Sequence, residues 1–324
     1  MIFTPLSLWG YHIAEKLAVP GFIGANVPIS PTRAFPLLKF NLSSKNPFES
    51  TLNYASYLLV EFLFWQEQRE TINRFRQETL NLPPLPFLGN RFRRKRPNNL
   101  SPLPILYGFS PSVIPKPADW ADWLNVTGYW FLDQATTYQP PKELLDFIND
   151  GSPPVCIGFG SMTSSKAQSV TEVLLEALAQ SQQRGILLSG WAGIGNVKMP
   201  NNVFVIDSVP HDWLFPRMAA VVHHGGANTT AAGLRAGVPS VIVPFFADQP
   251  VWGQRLADLG VSPPPVPFKE LSAQALATAI QVAVSDEEMR SRASALGRKI
   301  REEDGVANAV ATFLHYLKEF EQEL

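Results

Sequence analysis

One cysteine, Cys156, stands in the whole 324-residue chain. An intramolecular disulfide needs two, so the fold is held by packing alone, and no cysteine-rich metal site can be assembled. An excess of charge of either sign is missing as well. Against 28 Asp and Glu stand 27 Lys and Arg, a formal charge of −1, so no overall field draws the chain to nucleic acid. Long hydrophobic runs are absent. The nearest, residues 54–65, contains Glu61 and falls short of the roughly 18 apolar residues that a membrane-spanning helix needs. The opening MIFTPLSLWGYHIAEKL has no basic n-region and no long apolar centre, so it is not expected to be a secretory leader. There is no Walker pattern. VCIGFGSM holds Gly158 and Gly160 without a third glycine in place, which counts against NTP hydrolysis and nicotinamide binding. No repeat of solenoid length occurs. What is left is ordinary globular composition, 45% hydrophobic, in a chain long enough for two domains. A cytoplasmic protein is expected, with contact at a membrane surface left open.

The two halves read differently. Residues 1–135 are rich in Pro, Phe and Trp. Helices are predicted at about residues 11–17, closed by Val19-Pro20, and at about residues 50–77. The Pro-rich stretch that follows carries Arg91, Arg93, Arg94, Lys95 and Arg96 among apolar residues. It reads either as a solvated loop or as a loop touching an anionic surface. Residues 136–152 read as a linker with a short helix. From residue 153 to 324 short apolar runs (VCIGFGS, GILLSGW, VFVID, AAVVHH, PSVIVP) alternate with amphipathic helical segments. That alternation predicts an α/β, doubly wound domain with a parallel sheet covered on both faces.

In such sheets ligands sit beyond the carboxyl ends of the strands. Gly160-Ser161, Trp191, residues 211–213, residues 223–230 and Asp248-Gln249 all fall there. In VVHHGGANTTAAGLR, Gly225 and Gly226 let backbone N–H groups approach an anion. The helix predicted to begin near Asn228 or Thr229 would offer its positive end. His224, Ala227, Asn228 and Thr229 complete a set that fits a diphosphate; a capped strand–helix turn is the plain alternative. Asp248 and Gln249 suit the vicinal hydroxyls of a sugar, or Asp248 simply caps a helix. Trp191 and Trp213 either stack on a base or belong to the core.

The run PHDWLFPRMAAVVHHGGANTTAAGLRAGVPSVIVPFFADQPVWGQ resembles the UDP-glycosyltransferase family, and most closely its sterol and lipid glucosyltransferase branch, with the antibiotic-modifying glycosyltransferases near by. IGFGSM, LLSGWAGIG and YGFSPSVIPKPADW share the likeness. The resemblance implies the GT-B arrangement of two Rossmann-like domains, the C-terminal one for the nucleotide sugar and the N-terminal one for the acceptor. It implies that Ser161 and residues 224–229 hold the diphosphate, that residues 209–213 (Val209, His211 and Trp213 among them) lie by the uracil, and that Asp248 and Gln249 hold the sugar. It implies inverting transfer of a hexose, glucose by preference, from a UDP-sugar to a lipid-like or other small hydroxylated acceptor, with no metal and no cofactor. The last helix, residues 315–324, is expected to cross back to the N-terminal domain.

Two departures stand out. Asn228 occupies a position where the lipid branch usually has Gly. The front of the chain lacks the strand and Gly-rich turn with which that branch begins, and with them the expected catalytic base. The expectation is therefore a complete donor domain on an incomplete N-terminal acceptor domain, with His12 the remaining candidate base, although a packing or helix-surface role is the plainer reading of a histidine in that amphipathic helix. The alternative is a nucleotide-sugar-binding subunit that works with a separately encoded N-terminal half.

Overall fold

A computed structural model describes residues 1–7, 9–37, 47–89, 103–159, 167–189 and 197–322. The chain divides into two compact units, Met1–Phe131 with Glu303–Leu324, and Leu132–Glu302. The basic cluster from Arg91 to Arg96 lies outside the described residues.

Unit 1 is built on a four-stranded parallel sheet in the order β1 (Ile2–Phe3), β2 (Phe22–Ala25), β3 (Ile105–Tyr107), β4 (Leu124–Val126). Between the first two strands runs α1 (Trp9–Leu17), which turns Gly10, His12 and Ala14 inward and stops at Ala18, whose φ of 52° ends the helix before Pro20. The long α2 (Pro47–Arg74) runs into a π-helical turn, Phe75–Thr79. That turn delivers Arg76 to the interior. Its guanidinium holds both oxygens of Glu15 at 2.7 and 3.2 Å and donates to His12 Nδ1 at 2.9 Å and to Pro83 O at 2.8 Å. The buried cation is thus fully satisfied, the condition for tolerating one there.

Unit 2 begins with α3 (Lys142–Asn149). The sheet follows as β5 (Val155–Gly158), β6 (Gly185–Leu188), β7 (Val203–Ile206), β8 (Ala220–His223) and β9 (Ser240–Ile242), all parallel, in the order β7-β6-β5-β8-β9. Helices α4 (Ala167–Gln180), α5 (His211–Leu214), α6 (Ala227–Ala236), α7 (Gln249–Asp258), α8 (Ala273–Ser285) and α9 (Glu287–Glu302) connect and cover it. Alternate strand residues feed two cores. Val155, Ile157, Val222 and Val241 pack with Leu174, Leu178, Leu276 and Ile280. Cys156, Ile186 and Val221 pack on the opposite face with Leu144, Trp213, Leu214 and Phe215. Burial pushes the Cys156 thiol up to about 12, so it behaves as a small core hydrophobe.

Two boundaries differ from the sequence reading. Residues 136–152 are not a linker: Leu144 of α3 is wholly buried in the unit 2 core. The last helix, α10 (Gly305–Gln322), belongs to unit 1 from its first residue rather than from residue 315. Phe313 packs on Phe22 with ring centroids 4.6 Å apart, and the Asn308 amide donates to Thr127 O at 3.0 Å.

Candidate functional site

The strand ends of unit 2 carry most of the residues marked by the sequence. β8 closes on His223, which is buried, and His224, which is half-buried. Gly225 follows with φ +87°, and a β-carbon there would stand 2.7 Å from Ile242 Cγ2 and 3.1 Å from the Gln249 carbonyl. Only glycine fits both the dihedral and the space. Gly226 is the N-cap of α6, which begins at Ala227, one to two residues ahead of the predicted start. No side chain caps the helix at Gly226, and the first helical hydrogen bond runs from Thr230 N–H to Gly226 C=O. The N–H groups of the first turn, at Ala227, Asn228 and Thr229, precede the helical ladder and share the positive end of the helix.

His224 lies over this turn. Its Nε2 is 2.5 Å from the point that a β-carbon on Gly226 would occupy, and its Nδ1 is buried with no protein partner. Burial lowers the His224 pKa and Asp248 partly offsets that, which places the carboxylate near the ring and keeps the imidazole neutral at pH 7. His211, first residue of α5, stacks on Phe215 at 4.3 Å and is likewise lowered, first by burial; the Asp212 carboxylate opposes that, and His224 adds a smaller push in the same direction. The three histidines at 211, 223 and 224 therefore sense one another.

The loop after β9 brings in Asp248 and Gln249. Ala247 takes φ 57°, a conformation non-glycine residues seldom adopt outside functional turns. Gln249 is 5% exposed, and its Oε1 accepts from Phe245 N–H at 2.8 Å and Phe246 N–H at 3.2 Å. Its oxygen braces the loop, which removes it as the sugar acceptor expected from sequence. Asp248 stands at the N-cap of α7, yet caps nothing with its side chain; Oδ2 accepts the Trp252 indole N–H at 2.9 Å.

Other predicted residues fall elsewhere. Trp213 is core: its ring meets Tyr138 edge-on at 5.3 Å, and the Arg217 guanidinium covers it at 4.3 Å. Val209 is packed in the same core. Ser161 and Trp191 lie outside the described residues. Sequence reasoning passed over Ser189 and Asp207, at the ends of β6 and β7, joined by a 2.5 Å hydrogen bond. A polar residue directly after each apolar run was the available signal. It also passed over Asp212, whose carboxylate receives Gln134 N–H and Ala135 N–H at 2.7 Å each. Among the described residues no cluster of three His, Cys, Asp or Glu has metal-binding geometry.

Unit 1 holds a cavity of about 420 Å³ between its sheet and α2, lined by Phe3, Ile23, Ile105, Leu124, Tyr57 and Phe64 among others. Most of its wall is apolar, with Ser30, Tyr54, Glu61 and Asp119 among the polar lining residues. The Tyr57 hydroxyl is buried and has no hydrogen-bond partner among the described residues. His12 is 2% exposed, accepts from Arg76 through Nδ1 and is lowered to about 4, chiefly by burial; it takes the packing role that was the plainer reading of its helix, not that of a base. Among the described residues no helix is long and apolar enough to cross a membrane.

Residues 163–311 match the family described as erythromycin biosynthesis protein CIII-like, C-terminal domain. The chain is 41% identical over 319 residues to a sterol 3-beta-glucosyltransferase of Arabidopsis thaliana, covering 98% of this chain and 50% of that protein. It is 39% identical to a sterol 3-beta-glucosyltransferase of Saccharomyces cerevisiae, covering 98% of this chain and 26% of that one. The chain thus spans half or less of the curated relatives it matches. In fold it is similar to the glycosyltransferase of kitacinnamycin, with TM-score 0.67, 17% identity, and coverage of 97% of this chain and 74% of the other. With a like fold and close to 40% identity over nearly all its residues, the chain is similar to the sterol 3-beta-glucosyltransferases, of whose length it spans half or less.

Proposed function

We propose that the strand ends of unit 2 bind a UDP-sugar and that the chain serves transfer of its hexose, glucose by preference, to a hydroxyl of an apolar, lipid-like acceptor with inversion. The observation that carries this reading is the turn after β8, where an uncapped helix start, a neutral half-buried His224 and the Asp248 carboxylate converge. In the reaction the acceptor oxygen bonds to the anomeric carbon and its proton passes to a base. The bond from that carbon to the diphosphate oxygen breaks, and UDP leaves with the electron pair. The burden on the donor site is the charge growing on that diphosphate. First-turn N–H groups and an imidazole N–H, fixed before the reaction starts, stabilise it without reorganising. Asp248 accepts from a sugar hydroxyl through the oxygen that Trp252 does not occupy. The UDP-sugar is consumed as substrate, and no cofactor is invoked.

The cavity of unit 1 suits the acceptor: mostly apolar walls for a rigid hydrocarbon, with Ser30, Tyr54, Glu61 and Asp119 as polar residues among them. The names of the Arabidopsis and yeast relatives support a sterol as its occupant. A second reading is favoured by the burial of His12: a nucleotide-sugar-binding protein whose reaction takes its base from a separately encoded partner. Incubation with UDP-glucose and a panel of sterols and lipid alcohols decides between them. Release of UDP with a glycoside of inverted configuration supports the first reading; binding of UDP-glucose without turnover supports the second; no binding defeats both.

A further inference from the structure

Behind the His-Gly-Gly turn, three buried polar atoms have no partner among the described residues: His223 Nε2, Thr230 Oγ1 and Ser240 Oγ. Their residues are 1%, 0% and 1% exposed. They come from the end of β8, the first half of α6 and the start of β9. The two strands pair with Val221 opposite Ser240 and His223 opposite Ile242, so Val221, His223 and Ser240 share one face of the sheet. Helix α6 crosses that face at Gly233. A β-carbon there would stand 2.8 Å from Ser240 Oγ, 3.3 Å from Val221 Cγ2 and 4.0 Å from His223 Nε2. Thr230, three residues earlier, lies on the same side of the helix. Glycine at 233 keeps a side chain out of that point, which Ser240 Oγ and His223 Nε2 border.

The tautomer of His223 follows from its other nitrogen. Nδ1 accepts the Gly225 N–H at 3.1 Å, so it carries no proton, and the neutral ring bears its hydrogen on Nε2. Burial holds the ring neutral, its pKa lowered to about 3. Nε2–H is then a buried donor beside two hydroxyls that can each donate and accept. Buried polar groups in proteins are almost always satisfied, and water with about three partners is the common means.

We propose that His223, Thr230 and Ser240 form a site for one internal water molecule, and that this water makes His223 the positioning residue of the anion-binding turn. Held through Nε2, the ring keeps Nδ1 facing the Gly225 N–H and fixes Gly225 at its positive φ. This sets Gly226, the start of α6 and the adjacent His224. The Gly225 N–H therefore shapes the turn and is not a donor to the diphosphate. The functional half of the proposal rests on the nucleotide reading; the water site does not.

Three measurements on the full chain test it. A high-resolution crystal structure is expected to show ordered solvent within hydrogen-bonding distance of His223 Nε2, Thr230 and Ser240; an empty or side-chain-filled space there overturns the site. Nitrogen-15 NMR of the imidazoles is expected to find His223 as the Nε2–H tautomer, unchanged over about pH 5 to 8, the range in which an ordinary histidine titrates. An Nδ1–H tautomer, or titration in that range, overturns the positioning role. Ser240→Ala combined with Thr230→Val is expected to mix the His223 tautomers and weaken UDP binding by about tenfold, the worth of one well-made hydrogen bond. His223→Asn, which keeps an acceptor near the Nδ1 position, is expected to retain more UDP affinity than His223→Gln. If the double variant fails to fold, Ser240→Ala alone gives the same tautomer readout. A fixed tautomer and unchanged UDP affinity after loss of the hydroxyls overturn the water's role. If wild-type protein binds no UDP, the nucleotide reading fails, while the crystal and the tautomer still decide the water site.

Discussion

The Nε2 atom of His224 lies 2.5 Å from the point where a β-carbon on Gly226 would stand, so the imidazole occupies the space that this glycine leaves open. Gly226→Ala would push the ring aside without touching the rest of the fold, because the obstructing atom is the far end of a movable side chain. Both Gly226→Ala and His224→Ala are expected to weaken UDP binding, and the double variant to bind no worse than His224→Ala alone. Calorimetric titration of the three variants checks this. Additive losses would show that the two residues act separately.

Gln249 carries two backbone N–H groups on one buried oxygen. Gln249→Ala leaves both without an acceptor and is expected to destabilise by about 1–3 kcal/mol. Gln249→Glu keeps the acceptor and is expected to lose less at neutral pH. Urea unfolding of unit 2 followed by tryptophan fluorescence makes the comparison; equal losses would assign the brace to another part of the side chain.

Acid is expected to destabilise the chain through buried histidines. His12 falls from 6.5 to about 4 in the folded protein and His223 to about 3, each chiefly through burial. Between those values and about 6.5 the unfolded chain binds more protons than the folded one, so stability is complete above pH 6.5 and is lost as pH falls. The slope per histidine approaches 1.4 kcal/mol per pH unit at most. His223→Asn is expected to flatten the unfolding curve of unit 2 in this window, and His12→Gln that of unit 1. An unchanged slope in either variant would contradict the assigned protonation state.

Tyr57 lines the cavity of unit 1, and its buried hydroxyl has no hydrogen-bond partner among the described residues. Tyr57→Phe is expected to leave unit 1 as stable or slightly more so, since an unsatisfied buried group is removed. The same change is expected to weaken binding of a hydroxylated sterol by about tenfold, with little effect on its hydrocarbon analogue. Fluorescence titration with the two ligands separates these outcomes, and equal losses for both would remove Tyr57 from recognition.

The legible parts of the sequence are those where burial on both sheet faces leaves a continuous apolar run. VCIG, GILL, AVVH and SVI became β5, β6, β8 and β9, with their helices between them. The strands of unit 1 went unread; in Ile2–Phe3 two residues are too few to show a period. The pairing of His224 with the Gly226 turn was legible as a motif, because glycines and a helix start imply backbone donors whatever the side chains do. Roles that depend on a rotamer were not. Trp213 and Val209 were placed by the ligand and lie in the core; the oxygen of Gln249 turned inward to its own loop; the short helix of residues 136–152 was expected, but not the burial of its Leu144 in the unit 2 core. Packing was the plainer reading of His12, yet its partner Arg76, 64 residues away, was not legible.

Titration of the protein with UDP, with uridine as the control lacking phosphates, tests the central claim most directly. Wild-type protein is expected to bind UDP far more tightly than uridine, and His224→Ala to lose that difference by about 100-fold, the order found when a preorganised donor to an oxyanion is removed. No UDP binding by the wild type, or equal UDP affinity in His224→Ala, would contradict a diphosphate at the β8–α6 turn.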